Sequence, residues 1–137
     1  MTDGRGNVLQ VIVTRGNRNE CPVLGPLLAS ALANNPGRWP KKLACDKGYS
    51  ADRIRLGLLA AKIRPVIPMR DNEHVGEKDK FGRFDKKAYR GRNVVERAVA
   101  KLKEFRRIAT RYEKLASSYC AMLSLANIVL YLRLLDS

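Results

Sequence analysis

Tyr89, Arg92, Glu96 and Lys103 carry a phenol, a guanidinium, a carboxylate and an ammonium at a spacing that one helix would gather. At about 100° per residue they fall within an arc of about 60°. Val94, Val95, Ala98, Val99, Leu102 and Phe105 take the broad opposite side. Glu96 would then stand on the polar face of a helix whose back is packed into a core. Gly91 places the helix start near Arg92 and leaves Tyr89 at its margin. A plain explanation competes with chemistry, because Arg92 and Glu96 are four residues apart and could form a surface ion pair contributing a few tenths of a kcal/mol. Two further acids occupy suggestive places. Asp3 precedes Gly4, and Asp46 follows an apolar run and precedes Lys47-Gly48. Each could equally be an aspartate that opens a turn.

These residues depend on the elements that would hold them. Residues 8–14 (VLQVIVT) are β-branched and apolar between Gly-Asn pairs and predict a strand, with residues 1–3 as the stump of an earlier one. Residues 22–33 predict a helix with Pro22 near its start. Residues 42–45 predict a short strand ending at Asp46, and Ser50 is a plausible N-cap for a helix over 51–62. Residues 64–69 (RPVIPM) predict an edge strand because of their two prolines. Residues 71–87 are polar and glycine-containing and predict a mobile loop. Residues 93–110 and 115–134 predict two long helices, the second a buried core helix. Strands alternating with helices make a single α/β domain at this length.

Charge bounds the partners. Among 137 residues, 27 Lys and Arg face 13 Asp and Glu, a net charge of +14 that favours nucleic acid or an acidic membrane surface. Between Arg83 and Lys114, twelve basic residues face four acids. Such a run can track a DNA backbone, although a solvated helix face gives the same pattern. Cys21, Cys45 and Cys120 are odd in number and far apart, with His74 the lone histidine. A disulfide framework and a zinc site are therefore disfavoured, and a reducing cytoplasm is expected. Residues 1–5 have no apolar run, so no signal peptide is expected. Residues 115–132 lack charge, but Ser117, Ser118, Ser124 and Asn127 interrupt them and favour a core helix over a membrane span. Trp39 and Tyr112 could stack on an unpaired base, but packing is the preferred reading of both.

The run Tyr89-x2-Arg92-x3-Glu96-x6-Lys103 resembles the Tyr-Arg-Glu-Lys signature of bacterial insertion-sequence DDE transposases of the four/five group. Its surroundings, YRGRNVVER and then LKEFRRIATRYEKLA, resemble that family too. Cys45-Asp46-Lys47-Gly48-Tyr49 resembles the family's Asp-x-Gly-Tyr segment, and Asp3-Gly4-Arg5-Gly6 the segment with its first aspartate. The resemblance runs in register over nearly the whole chain. It implies an RNase H-like α/β fold, N-terminally truncated and closed by C-terminal helices. It implies that Asp3, Asp46 and Glu96 are catalytic acids holding Mg2+ or Mn2+. Tyr89 and Arg92 would hold a terminal DNA phosphate, and Lys103 would contact DNA nearby. Arg106, Arg107 and Arg111 would extend that DNA contact.

The implied activity is DNA transposition, by metal-dependent cleavage and strand transfer at insertion-sequence ends. The implied partners are transposon-end and target DNA, a homo-oligomer on that DNA and an upstream transposase reading-frame product, with no membrane and a place at the bacterial nucleoid. The resembling proteins have a longer N-terminal region, commonly a DNA-binding helical domain, and here only Met1 and Thr2 precede Asp3. The chain is thus expected to be a downstream-frame product or a remnant. A non-catalytic DNA-binding regulator is the alternative.

Overall fold

The computed structural model describes residues 1–16, 21–37, 39–70 and 81–136. The chain divides into two compact units, Asn19–Arg92 and Met1–Arg18 with Asn93–Ser137.

In the central unit a 3-10 turn at Cys21–Val23 leads into helix α1, Leu24–Ala33. Strand β1 (Lys42–Ala44) pairs in parallel with β2 (Arg64–Val66), in the register Lys42 to Arg64, Leu43 to Pro65 and Ala44 to Val66. Helix α2, Asp52–Ala60, makes the crossover that a parallel pair requires. Among the described residues both strands are edges, which suits Pro65 because it has no N–H for a second neighbour. The core gathers Leu24, Cys45, Leu58, Ile63 and Ile67.

Ser50 does not cap α2. Ala51 holds the cap position without a side-chain bond, and the buried Ser50 hydroxyl accepts from Arg55 Nη2 at 2.7 Å. Arg55 is itself buried and donates to the carbonyls of Ile67 at 2.9 Å and Pro68 at 3.2 Å. A buried guanidinium demands acceptors more strongly than a helix end demands a cap, because helix ends can use water. At its far end α2 closes with Ile63 N–H on the Leu58 carbonyl and Lys62 N–H on that of Leu59. Lys62 sits at φ +58, the left-handed position usual for this closure.

Helix α3 (Lys86–Arg90) is short, and its start is strongly specified. The Asp85 carboxylate accepts from Ala88 N–H at 2.9 Å, and the Phe84 and Tyr89 rings meet at 5.3 Å across the first turn. That is an N-cap with a hydrophobic staple. Residues 71–80 of the loop expected over 71–87 lie outside the described residues, and α3 takes up its last two positions.

In the second unit, helices α4 (Asn93–Lys103), α5 (Arg106–Ala109) and α6 (Ala116–Leu135) follow one another. Their core holds Val8, Ala98, Leu102, Ile108, Leu123 and Ala126. Four expectations change here. The single helix over 93–110 is two, broken at Glu104-Phe105. Val99 is exposed, so the buried face is the narrower stripe Val94, Ala98, Leu102. Residues 8–14 form no strand. Among the described residues their only bridge is Val8 to Thr2, and a strand requires a partner along its length. Instead the Val8 carbonyl accepts from Asn127 Nδ2 at 3.2 Å and Tyr131 OH at 3.4 Å on α6.

Finally, α6 buries only one face. Leu123 and Ala126 are inside, while Leu125, Ile128, Leu132 and Leu135 are exposed. Its apolar residues run round the whole helix, so spacing could not say which of them find a partner. By length and composition alone this one helix could cross a membrane.

Candidate active site

Asp46 stands where β1 ends. Its backbone is extended, with φ −66 and ψ 161, and it opens the 3-10 turn Lys47–Tyr49. Tyr49 N–H donates to the Asp46 carbonyl at 3.0 Å, and the preceding Cys45 N–H donates to Val66 at 3.2 Å, so strand pairing fixes the backbone on one side and the turn on the other. The Asp46 side chain is 59% exposed. A carboxylate held by its backbone and open to solvent is available to an incoming ligand. Its charge is felt behind it: burial first, and Asp46 second, push the Cys45 thiol up to about 12.

Arg92 reaches the same place from the end of α3. Its Nη1 lies 3.9 Å from Asp46 Oδ2, and its guanidinium stands over the Tyr89 ring at 5.7 Å. The ring both orients the guanidinium and stabilises its charge. A second tie runs between the same two elements, since Lys42 Nζ on β1 bonds Asp85 Oδ2 at 2.7 Å. The Lys42 hydrogen bond, then the Ala88 N–H, hold the Asp85 carboxyl below the usual carboxylate range. Asp46, Tyr89 and Arg92 are thus brought together within one unit. Tyr89 and Arg92 do not share the helix of Glu96 and Lys103, because the chain turns at Gly91-Arg92 before α4 begins.

Lys42 and Asp85 are neighbours of the candidate site that the motif spacing alone does not single out. A signal for Asp85 does exist in Phe84-Asp85-x2-Ala88-Tyr89, an aspartate N-cap with staple residues on either side.

Glu96 lies exposed in the first turn of α4, where the partial positive charge of the helix N-terminus favours a carboxylate. Lys103 is exposed in the last turn, where a cation is favoured for the converse reason. Arg106, Arg107 and Arg111 are all exposed. Arg107 bonds Glu113 at 2.5 Å and stands over the Tyr112 ring at 5.0 Å. Arg111 takes φ +48 and closes α5 much as Lys62 closes α2. Trp39 is exposed and donates its indole N–H to the Ala61 carbonyl at 2.7 Å.

Asp3 has a structural occupation. Its Oδ1 accepts from Arg5 N–H at 2.8 Å and Asn7 N–H at 2.9 Å, and its Oδ2 from Asn7 Nδ2 at 2.8 Å. Partial burial pushes its carboxyl up, but these donors, the Asn7 side chain foremost, outweigh burial and hold it below its ordinary value. Gly6 completes the turn at φ +91, a conformation that favours glycine. A Cβ there would stand 3.5 Å from the Val94 carbonyl, so this turn packs on the first turn of α4, the one that carries Glu96.

The acids offer hard oxygen donors of the kind magnesium accepts. Among the described residues, however, no group of three or more His, Cys, Asp or Glu stands together as a metal nest.

The family described as Transposase DDE domain matches residues 1–132. A protein of Burkholderia cepacia, named as a transposase for insertion sequence element IS402, is 34% identical over 130 residues, covering 91% of this chain and 57% of that protein. One of Brucella ovis, named as a transposase for IS6501, is 26% identical over 133 residues, covering 97% of this chain and 95% of that protein. The chain therefore spans little more than half of the first relative's length and nearly all of the second's. No solved structure matches.

Proposed function

We propose that this chain, which belongs to the bacterial insertion-sequence transposases of the DDE type, serves DNA transposition by metal-dependent cutting and joining of DNA strands at an element's ends. The observation that carries the reading is the grouping of an open carboxylate, Asp46, with Arg92 and the Tyr89 ring beneath its guanidinium, the pair we assign to a DNA phosphate. The fold expected with it is RNase H-like, and the parallel β1–α2–β2 unit supports that.

Asp46 and Glu96 are the acids we assign to a divalent metal, magnesium or manganese, with water and DNA phosphate oxygens completing its ligands. When bound, the metal would activate a water or a DNA 3′-hydroxyl and offset the charge on the leaving oxygen. The protein's own groups position the DNA. Arg92 presents a planar fork to a phosphate, and the Tyr89 ring keeps that fork oriented. Lys103, Arg106, Arg107 and Arg111 are exposed cations suited to contacts with a DNA backbone. Asp3 is the remaining acid of the resemblance, but its three turn hydrogen bonds favour a structural role. The setting is the bacterial cytoplasm, on DNA, with a second copy of the chain as partner.

The occupied Asp3 also favours a second reading, a DNA-binding regulator that does not cut. One assay separates the two. The purified chain is given labelled DNA bearing its element's end, with magnesium, manganese or calcium. Cutting with the first two, and binding with little cutting in calcium, is the expected result. Glu96→Gln should abolish cutting and leave binding largely intact. Equal cutting with Gln at 96 overturns the catalytic assignment, and tight binding without cutting under any metal makes the chain the regulator.

A further inference from the structure

A cavity of about 360 Å³ opens beside the start of α3, lined by Arg64, Arg83, Phe84, Asp85 and Lys86. Its charge is one-sided. Three cations face one carboxylate, and Asp85 is already paired with Lys42. Cations lining one cavity repel each other, so an anion placed among them lowers the energy. Arg64 is held there rather than trailing in solvent, because its Nη2 donates to the Arg83 carbonyl at 2.8 Å. Phe84 adds a flat apolar surface and is 38% exposed although its ring also meets Tyr89. Rings for bases beside cations for phosphates are the pairing by which proteins hold single strands. The volume is near the lower end of ligand sites, roughly 300–1,000 Å³, which suits one nucleotide and no duplex.

The location adds a second argument. Phe84 touches Tyr89, the Arg92 guanidinium stands over Tyr89, and Arg92 lies 3.9 Å from Asp46. The cavity is therefore joined, through the Phe84 ring, to the residues proposed to hold a DNA phosphate.

We infer that this cavity seats one unpaired nucleotide, its base against Phe84 and its phosphate among Arg64, Arg83 and Lys86, beside the strand position held by Tyr89 and Arg92. The inference rests on the DNA-acting reading above and extends it to a preference for an opened strand end over a blunt duplex.

The probe is a short duplex carrying a three-nucleotide overhang with 2-aminopurine in it, compared with the same duplex made blunt. The full chain should bind the overhang about tenfold more tightly, with quenching of the fluorescent base by stacking. Phe84→Leu keeps an apolar staple for α3 but removes the ring. It should lose the quench and the tenfold preference, while Phe84→Tyr keeps both. Arg83→Gln with Lys86→Gln, two exposed changes, should lower the salt slope for the overhang by about one unit. Equal affinity for overhang and blunt duplex, or a Phe84→Leu protein that quenches like the parent, overturns the inference while the DNA-acting reading stands. Failure to bind either duplex overturns both.

Discussion

Asp46 Oδ2 and Arg92 Nη1 stand 3.9 Å apart, so the acid just beyond β1 faces the guanidinium that follows α3. At that distance the two attract without a close hydrogen bond, and neither is buried away from water. An exposed pair of this kind contributes little to stability, about 0–1 kcal/mol. Its interest is positional, since a phosphate arriving at Arg92 arrives beside Asp46.

Arg92→Gln should therefore weaken binding to DNA with a phosphorylated end roughly tenfold, the loss expected for a charge-assisted contact. Arg92→Lys should recover only part of it, because an ammonium cannot offer the same fork. Competition between phosphorylated and unphosphorylated ends reads this directly. An unchanged preference in Arg92→Gln would move the phosphate contact elsewhere.

Asp85 performs two tasks that substitution can separate. Asp85→Ser should keep the cap on Ala88 N–H and lose the bond to Lys42, while Asp85→Ala loses both. Amide exchange at Ala88 should quicken in the alanine variant and stay near the parent's in the serine one. The pH dependence follows from the sign of the shift. The folded carboxyl titrates below the ordinary value of 3.8, so its contribution is present above that value and is lost as pH falls through the lower one. Ala88 protection should fall with acid in the parent but not in Asp85→Ala.

The thiols give a test of the strand end. Cys45 is buried with its titration pushed up to about 12, whereas Cys120 is exposed. Iodoacetamide at pH 8 should modify Cys120 and leave Cys45 intact in the folded chain. Rapid modification of Cys45 would mean that the β1 terminus opens readily and does not hold Asp46 in place.

Much of this arrangement is legible in the order of the residues. The spacing Val94, Ala98, Leu102 marks the buried side of α4 and so puts Glu96 outside. The apolar run before Asp46 and the proline-bounded run over 64–69 mark the two paired strands. What is not legible depends on partners distant in sequence. Residues 8–14 have strand composition, yet they meet α6 side chains rather than a continuous neighbouring strand. Ser50 has N-cap chemistry, yet the buried Arg55 takes its hydroxyl. The break between Tyr89 and Glu96 has another cause. A side-chain arc drawn through Gly91 assumes one continuous helix, whereas the Asp85 cap starts a separate one that ends at Arg90.

Substitution at Asp3 separates a turn role from a metal role. Asp3→Ala removes three hydrogen bonds and should lower stability by on the order of 1 kcal/mol. Asp3→Asn keeps an acceptor at the turn and should melt close to the parent. A parent-like melting temperature for Asp3→Ala would contradict the turn assignment.

Manganese binding tests the central claim most directly. Mn2+ is titrated into the chain bound to end DNA, with the unbound ion followed by electron paramagnetic resonance. The parent should hold Mn2+ at least about tenfold more tightly than Asp46→Asn or Glu96→Gln, since each amide removes a charged oxygen ligand. Asp3→Asn should bind it like the parent. Parent-like Mn2+ affinity in both Asp46→Asn and Glu96→Gln would contradict the assignment of those two acids as the metal site.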